Sequence, residues 1–158
     1  MSRLDAAFFK PFIDGTLNMM KVSCATQGSM LKPFLKGTSE QSPFDIAGVI
    51  GLTCEAFSGT ITICFPDKVF LTLMSRMLGE NFTEVTPDLQ DGAAEFMNMI
   101  YGQAKVVLNQ AGYKIEKAFP TVIRGKDLRT RHAGGHNKTV VLPVQSDAGN
   151  FYIEICAE

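Results

Sequence analysis

The most regular pattern of polar and apolar positions runs through residues 89–112, "LQDGAAEFMNMIYGQAKVVLNQAG". Polar residues and one glycine recur at steps of three and four, which places them on one narrow face of a helix. We therefore predict a long amphipathic helix that begins near residues 86–88 and stops at Gly112. Its polar face carries Asp91, Glu95, Asn98, Gly102, Lys105 and Asn109, and its apolar face carries Ala93, Phe96, Met97, Ile100, Ala104, Val107, Leu108 and Ala111.

Two further helices are predicted by the same spacing rule. Phe12, Ile13, Leu17 and Met20 recur at helical intervals and predict a helix over residues 10–21. Pro11 is expected in the first turn of that helix, because proline fits a helix start better than a helix interior. The run from 66 to 79 predicts another helix, with its glycine at position 79 as the C-cap.

Strand-like runs account for most of the remaining chain. They predict hairpins between the second and third strands and between the last two, the latter turning at residues 147–149. The six predicted strands cover residues 22–31, 45–53, 56–65, 117–125, 138–146 and 150–157.

The order of these elements indicates a duplicated unit of one helix plus three strands. "LNMM" at 17–20 can be laid over "MNMI" at 97–100, which places Asn18 opposite Asn98 and Gly15 opposite Glu95. We predict a single α/β (α+β) domain over residues 1–158, with related halves of about 1–80 and 85–158. Its long helices are expected to pack on an antiparallel-rich sheet.

Composition and charge exclude several classes of protein. The chain has 158 residues, 46% of them hydrophobic and 20% charged, as is ordinary for one globular domain. Its net charge of −1 gives no global attraction to nucleic acid or to an anionic membrane. We predict no membrane span, no secretory leader and a cytoplasmic location, since no apolar run has the required length.

The sequence shows no pattern typical of a metal or redox site. His132 and His136 are four apart, but the two glycines between them argue against a helix, so we expect no bound metal. No CxxC pair occurs, and the isolated, apolar surroundings of the cysteines predict buried structural thiols. These cysteines are Cys24, Cys54, Cys64 and Cys156.

A basic tract over residues 124–138, "RGKDLRTRHAGGHNK", has two interpretations. It is either an anion or nucleic-acid patch or a solvated loop between strands. We favour the loop and predict no nucleic-acid binding, because the tract lacks the interleaved aromatic residues that stack on bases. Contact with an acidic protein partner stays open.

Glu95 and Asn98 stand out within the polar stripe because they point outward together from a rigid support. A carboxylate can pair with a partner's lysine, and a carboxamide can hold and orient a water molecule. Asn98 is no general base near neutral pH, so catalysis by this pair would work through positioning. The alternative is an ordinary solvated surface. Gly102 favours the functional interpretation, since a helix-interior glycine costs roughly 0.5–1 kcal/mol and indicates a close approach by another helix or protein loop.

The segment "DGAAEFMNMIYGQAK" resembles the active-site helix of the CheX/CheC/FliY chemotaxis phosphatases. The family pattern is Asp or Ser, three residues, Glu, two residues, Asn, and it is matched by Asp91, Glu95 and Asn98. The ending "VVLPVQSDAGNFYIEI" resembles the final hairpin of CheX. The resemblance covers essentially the whole chain and implies the pseudo-symmetric CheC-like α/β fold.

The resemblance implies an enzyme that removes phosphate from the aspartyl phosphate of a CheY-type response regulator. Asn98 would orient the attacking water, and Glu95 would pair with the regulator's lysine. Asp91 is expected in the first turn with a supporting or helix-start role, and Gly102 would leave room for the partner. The chain would bind no cofactor itself, since Mg²⁺ belongs to the regulator.

One departure from the family concerns the first helix. CheC-type members carry the Glu–Asn pair on both related helices, whereas here Gly15 stands where Glu is expected. The resemblance therefore implies one active site per chain, as in CheX. The first helix then either serves packing alone or keeps Asn18 as a remnant of a lost site.

Two rival functions remain. The first is a non-catalytic module that binds a response regulator or a flagellar-switch component through the helix over residues 88–111. The second is an adaptor that acts through the basic tract. The resemblance is also compatible with homodimers paired through exposed strand edges in residues 22–31 or in the last hairpin.

Overall fold

The computed structural model describes residues 5–37, 43–131 and 139–157. These ranges contain three α-helices and seven β-strands. In chain order they are α1 (Ala6–Cys24), β1 (Gly28–Met30), β2 (Phe34–Leu35), β3 (Phe44–Thr53), β4 (Ser58–Phe65), α2 (Asp67–Leu78), α3 (Pro87–Gln110), β5 (Thr121–Leu128), β6 (Thr139–Ser146) and β7 (Phe151–Ala157).

The strands form one sheet in the order β1-β6-β7-β4-β3-β5, with the short β2 also paired to β6. Every pairing is antiparallel. The strands β4 and β7 meet at the centre, while β1 pairs with β6 of the last hairpin and β5 pairs with β3 of the first hairpin. The order is therefore symmetric about the sheet centre. The predicted α/β class with an antiparallel-rich sheet is confirmed, while the division into two related halves of one domain stays a prediction.

The main core lies between the helices and one face of the sheet. Its centre is Phe65 of β4, whose ring centroid lies 5.7 Å from that of Phe70 in α2 and 5.7 Å from that of Phe96 in α3. Phe151 of β7 stacks at 4.8 Å from the same ring. All four side chains are buried. This cluster joins α2 and α3 to the middle of the sheet, so the long helix has a fixed support.

The opposite face of the sheet carries a smaller cluster of apolar residues and a buried ion pair. Lys36 Nζ lies 2.8 Å from Glu154 Oε2, and the two side chains are only 4% and 1% exposed. The Thr130 hydroxyl donates to Glu154 Oε1 and accepts from Lys36 Nζ at 2.7 Å. The segments that follow β2 and β5 are thereby held over β7. The apolar members are Phe44, Ala47, Cys64, Val141 and Tyr152.

The first helix is longer at both ends than predicted. Asp5 caps it by accepting a hydrogen bond from the Phe8 N–H at 3.0 Å, so the helix starts at Ala6 and not near residue 10. Pro11 is consequently inside the helix, and its prediction in the first turn was wrong. The helix also continues to Cys24, so the strand predicted over 22–31 is reduced to β1.

Strand β5 also differs from the prediction. It begins at Thr121, four residues later than expected, and ends at Leu128. Before it, the Glu116 N–H donates to the Thr53 carbonyl at 2.9 Å, but the chain does not yet join the ladder of β3. The two-residue β2 was missed because so short a strand leaves no alternating pattern. The other strands and α2 agree with the predicted ranges to within two residues, and Gly79 caps α2 as predicted.

The prediction that the last hairpin has an exposed strand edge was wrong. Strand β6 pairs with β1 and β2, and β7 pairs with β4, so both strands of this hairpin lie inside the sheet. The sheet edges in the described part of the chain belong to β1 and β2 at one end and to β5 at the other.

We predict that breaking the Lys36–Glu154 pair from one side strongly destabilises the protein. The variant Lys36→Met should lower the free energy of unfolding by about 3–5 kcal/mol, because it leaves a buried carboxylate without its cationic partner. The double variant Lys36→Met/Glu154→Leu should lose less, since neither charge remains buried. Chemical denaturation monitored by circular dichroism measures both, and equal losses would contradict the prediction.

We also predict unequal reactivity of the thiols. Burial raises the pKa of Cys24 to about 11 and that of Cys64 well above its usual value, so both stay neutral thiols at pH 8. Cys54 and Cys156 are half-buried, so the prediction that all four cysteines are buried holds only for Cys24 and Cys64. Iodoacetamide at pH 8 should label the half-buried pair first, as read by mass spectrometry, and the denatured protein is the control in which all four react.

Candidate active site on the long helix

The start of α3 is set by local capping. The Thr86 hydroxyl accepts from the Leu89 N–H at 3.3 Å, and Pro87 occupies the first helical position. The acidic residue of the first turn is Asp88. Asp91 is the fifth residue of the helix and lies in the second turn, so its predicted place in the first turn was wrong. A supporting role for Asp91 remains a prediction.

The predicted polar stripe of α3 faces outward. Asp91, Glu95, Asn98 and Gly102 are exposed, and Lys105 is half-buried. They therefore line the outer surface of a helix whose inner surface lies on the core.

The last turn of α3 departs from the predicted apolar face. Val107 is 47% exposed and Ala111 is exposed, whereas Leu108 is buried. Asn109 accepts from the Ile115 N–H at 2.6 Å and donates to the Ile115 carbonyl at 3.4 Å. Asn109 thus fixes the connection that leaves the helix and is not available to a partner.

The side chains of Glu95 and Asn98 make no hydrogen bond or ion pair within the described part of the chain. Residues three apart on a helix have Cβ atoms about 5–6 Å from each other. The two groups can therefore reach one small polar target together. A free carboxylate beside a free carboxamide offers one site for a cation and one that can orient a water molecule.

The helix turn that carries this pair lies directly on strand β3. Phe96, Met97 and Ile100 are fully buried on its inner side. Gly48 of β3 lies so near that a Cβ atom there would be 2.6 Å from the Ala93 carbonyl oxygen. Sequence reasoning overlooked Gly48, although a glycine inside an apolar strand is a known signal of close backbone approach.

Helix α1 packs beside α3, near the turn that carries Glu95 and Asn98. Gly15 is buried, and a Cβ atom there would lie 3.2 Å from the Ile100 carbonyl oxygen. This position therefore cannot present a carboxylate to solvent. The Asn18 amide donates to Gln103 Oε1 at 3.1 Å, so Asn18 links the two helices. Gln103 was not singled out by the sequence, because its helical position gives no sign of a partner in another helix.

The remaining candidate groups do not add to the site. Among the described residues, no cluster of three or more His, Cys, Asp or Glu could hold a metal ion. His132 and His136 lie outside the described residues, as does the basic tract beyond residue 131. Within the described part of that tract, Arg124 pairs with Asp67 Oδ2 at 3.0 Å and donates to the Asp45 carbonyl at 3.1 Å. Arg124 therefore fastens β5 to the start of α2.

None of the helices in the described ranges combines the length and the hydrophobicity that crossing a bilayer requires.

Solved structures with this fold come from several bacteria. The chemotaxis protein CheX from Vibrio vulnificus is 31% identical and superposes with a TM-score of 0.88, over 97% of this chain and 100% of that one. A CheC-like superfamily protein from Shewanella sp. PV-4 is 32% identical, with a TM-score of 0.89 over 98% and 99% of the two chains.

A third structure is a complex of CheX with CheY, BeF₃ and Mg²⁺ from Borrelia burgdorferi. The matched chain is 20% identical, with a TM-score of 0.79 over 99% of each chain, which shows the shared fold alone.

The sequence was also compared with curated proteins and with models of protein families. No curated protein matches the chain. The model of the chemotaxis phosphatase CheX matches residues 46–144, more than half of the chain. With this match and the relatives of more than 30% identity, the chain belongs to the CheX family of chemotaxis phosphatases.

Proposed function

We propose that Glu95 and Asn98 are the residues with which this phosphatase removes the phosphoryl group from the aspartate of a CheY-type response regulator. The observation that carries the proposal is the free Glu–Asn pair, exposed three residues apart on a helix that is fixed to the core. The reaction needs an attacking water, a neutralised phosphoryl group and correct alignment. The two side chains can hold the attacking water and align it with the phosphoryl group.

Asn98 acts on the water. Its amide oxygen accepts a hydrogen bond from the water and its NH₂ group donates to the phosphoryl oxygens, which places the water in line with the bond to be broken. An amide is not protonated or deprotonated near neutral pH. Asn98 therefore contributes orientation and not proton transfer.

Glu95 acts on the partner. Its carboxylate pairs with the lysine of the regulator's active site, and this salt bridge docks α3 over the phosphoaspartate. The pair is formed at the centre of the interface, where water is excluded and a charged hydrogen bond contributes most. Asp91, one turn earlier on the same face, supports this acidic surface.

The regulator supplies the rest of the reaction centre. Mg²⁺ neutralises the phosphoryl charge in the acidic pocket of the regulator, as expected for phosphoryl transfer. The B. burgdorferi CheX is in complex with CheY together with BeF₃ and Mg²⁺, which supports the same arrangement here. A cytoplasmic location is part of this proposal, since the proposed partner is a cytoplasmic receiver domain. A homodimer paired through a sheet edge is compatible with this proposal, because the helix face remains free.

The first rival function, a non-catalytic binding module, uses the same helix face and differs in stoichiometry. A catalyst acts at concentrations well below that of the phosphorylated regulator, whereas a binding module acts only in equimolar amounts. Asn18 supports no second site in our proposal, because its amide is already bonded to Gln103.

We predict that substitutions at Glu95 and Asn98 lower kcat/KM by two different routes. Asn98→Ala should lower kcat by about 10²-fold or more while regulator binding persists, because the water loses its orientation. Glu95→Ala should chiefly raise KM, because the docking salt bridge is lost. The assay follows phosphate loss from the organism's CheY-type receiver domains, phosphorylated with acetyl phosphate in Mg²⁺, with substoichiometric phosphatase.

Gln110→Ala, at an exposed position in the last turn of α3, is the matched control and should keep wild-type kinetics. Binding without any acceleration by the wild type would replace the catalytic proposal by the binding module. Wild-type rates in Asn98→Ala would show that another group orients the water.

We predict opposite effects of Gly102→Leu on stability and on activity. A Cβ atom at this position meets nothing within 4 Å in the described chain, so leucine should raise helix stability by about 0.5–1 kcal/mol. KM for the phosphorylated regulator should rise, because the space is reserved for the partner. Thermal unfolding and steady-state kinetics measure the two effects.

The control for Gly102→Leu is Val107→Leu, which introduces the same side chain about 140° around the helix, at 100° per residue. Unchanged KM in Gly102→Leu would mean that the partner does not approach this part of α3.

A further inference from the structure

The backbone of the α3 turn that carries Glu95 lies close to strand β3 at Gly48. Gly48 is buried, lies in the middle of β3 and pairs with Ile63 of β4 and Val122 of β5. A Cβ atom at Gly48 would lie 2.6 Å from the Ala93 carbonyl oxygen and 3.4 Å from Met97 Cβ. Ala93 and Met97 bracket Glu95 along the helix. The backbone of β3 therefore supports the same turn from which Glu95 and Asn98 project.

We infer that Gly48 is a positioning residue of the phosphatase reaction, which sets the distance of α3 from the sheet and thereby the position of Asn98. This inference rests on the proposed function of Asn98. Gly48 touches neither substrate nor water, and it acts through the helix backbone. Any larger residue would lift the helix and move the bound water out of line with the phosphorus atom.

Space, and not backbone conformation, explains a glycine at this position. A glycine inside a strand weakens the strand, and Gly48 has no left-handed φ angle that would require glycine. Gly51, three residues later on the same strand, is exposed, and a Cβ atom there would meet nothing within 4 Å. The two glycines thus separate the effect of the residue type from the effect of contact with α3.

A second glycine fixes the same turn from the side. A Cβ atom at Gly15 of α1 would lie 3.2 Å from the Ile100 carbonyl oxygen and 3.5 Å from Ile100 Cα, two residues beyond Asn98. Both Gly48 and Gly15 face the backbone of α3, which cannot rotate away. Gly92 differs, because a Cβ atom there would lie 2.5 Å from the flexible end of the Met74 side chain. That side chain can shift without any movement of the α3 backbone.

The size of the expected displacement decides which kinetic constant changes. A methyl group needs about 3.5 Å to its neighbours. The 2.6 Å available at Gly48 therefore requires a movement of nearly 1 Å. A misplacement of about 1 Å can cost about 10²-fold in rate when alignment governs the reaction. The Glu95 side chain is long enough to follow a moved helix, so docking is affected less than the alignment of water.

The test compares Gly48→Ala with Gly51→Ala in the full chain. Gly48→Ala should lower kcat by about 10- to 100-fold, with KM changed less than about threefold. Gly51→Ala should retain wild-type constants. Val141→Ala, which removes buried side-chain volume on the opposite face of the sheet, is the control for lost stability and should keep kcat at temperatures where it is folded.

Gly15→Ala provides an independent variant, with a milder clash of the same kind. It should lower kcat severalfold without raising KM, and it decides the question if Gly48→Ala does not fold. Wild-type kcat in a folded Gly48→Ala, or in Gly15→Ala when it alone folds, would overturn the inference. An equal loss of kcat in Val141→Ala would also overturn it, because general destabilisation would then explain the effect.

Asn98→Ala in the same assay separates this inference from the proposed function. If wild type and Asn98→Ala turn over equally, the proposed role of Asn98 fails, and the inference fails with it. If Asn98→Ala loses activity and Gly48→Ala does not, only the positioning inference fails.

Discussion

The close contact between the backbone of α3 and strand β3 is the constraint on which the site depends. At Gly48 the helix lies nearer to the sheet than any side chain would permit, and the fully buried Phe96, Met97 and Ile100 hold it there. Phe65 extends the same packing to α2 and to β7. A helix supported in this way moves little, which is what a reaction governed by alignment requires.

The two faces of the sheet serve different purposes. The face with the helices supports the exposed Glu95 and Asn98. Between the helices and the sheet, this face is packed with apolar side chains. The other face contains the Lys36–Glu154 pair, which joins β7 to the segments after β2 and β5. A buried ion pair adds little net stability, but it tolerates few alternative arrangements of those segments. In our proposal the reaction centre needs few groups, because the regulator supplies the phosphoryl group and the metal.

A symmetric sheet carries two helices, α1 and α3, that differ in the side chains they leave free. In the strand order, β7 and β4 lie at the centre, with one further hairpin strand and one end strand on each side. The two helices that the predicted duplication would relate differ at the positions of the Glu–Asn pair. Helix α3 presents Glu95 and Asn98 to solvent, whereas α1 uses Gly15 for close packing and Asn18 for a bond to Gln103. Close packing of the two helices at Gly15 leaves no room for a second carboxylate, which supports the proposal of one site per chain.

Periodicity and capping are local, so α2, α3, four of the strands and the exposure of Glu95 and Asn98 could be predicted from the residues alone. The residue pattern around them also identified the family. The start of α1 at its Asp5 cap is also local, and sequence reasoning overlooked it. The beginning of β5 and the interior place of the last hairpin were decided by tertiary structure, because strand pairing and sheet order depend on neighbours that are distant in sequence. The contacts of Gly48, Gly15 and Asn18 were likewise invisible, since each is made with a different element of the folded chain.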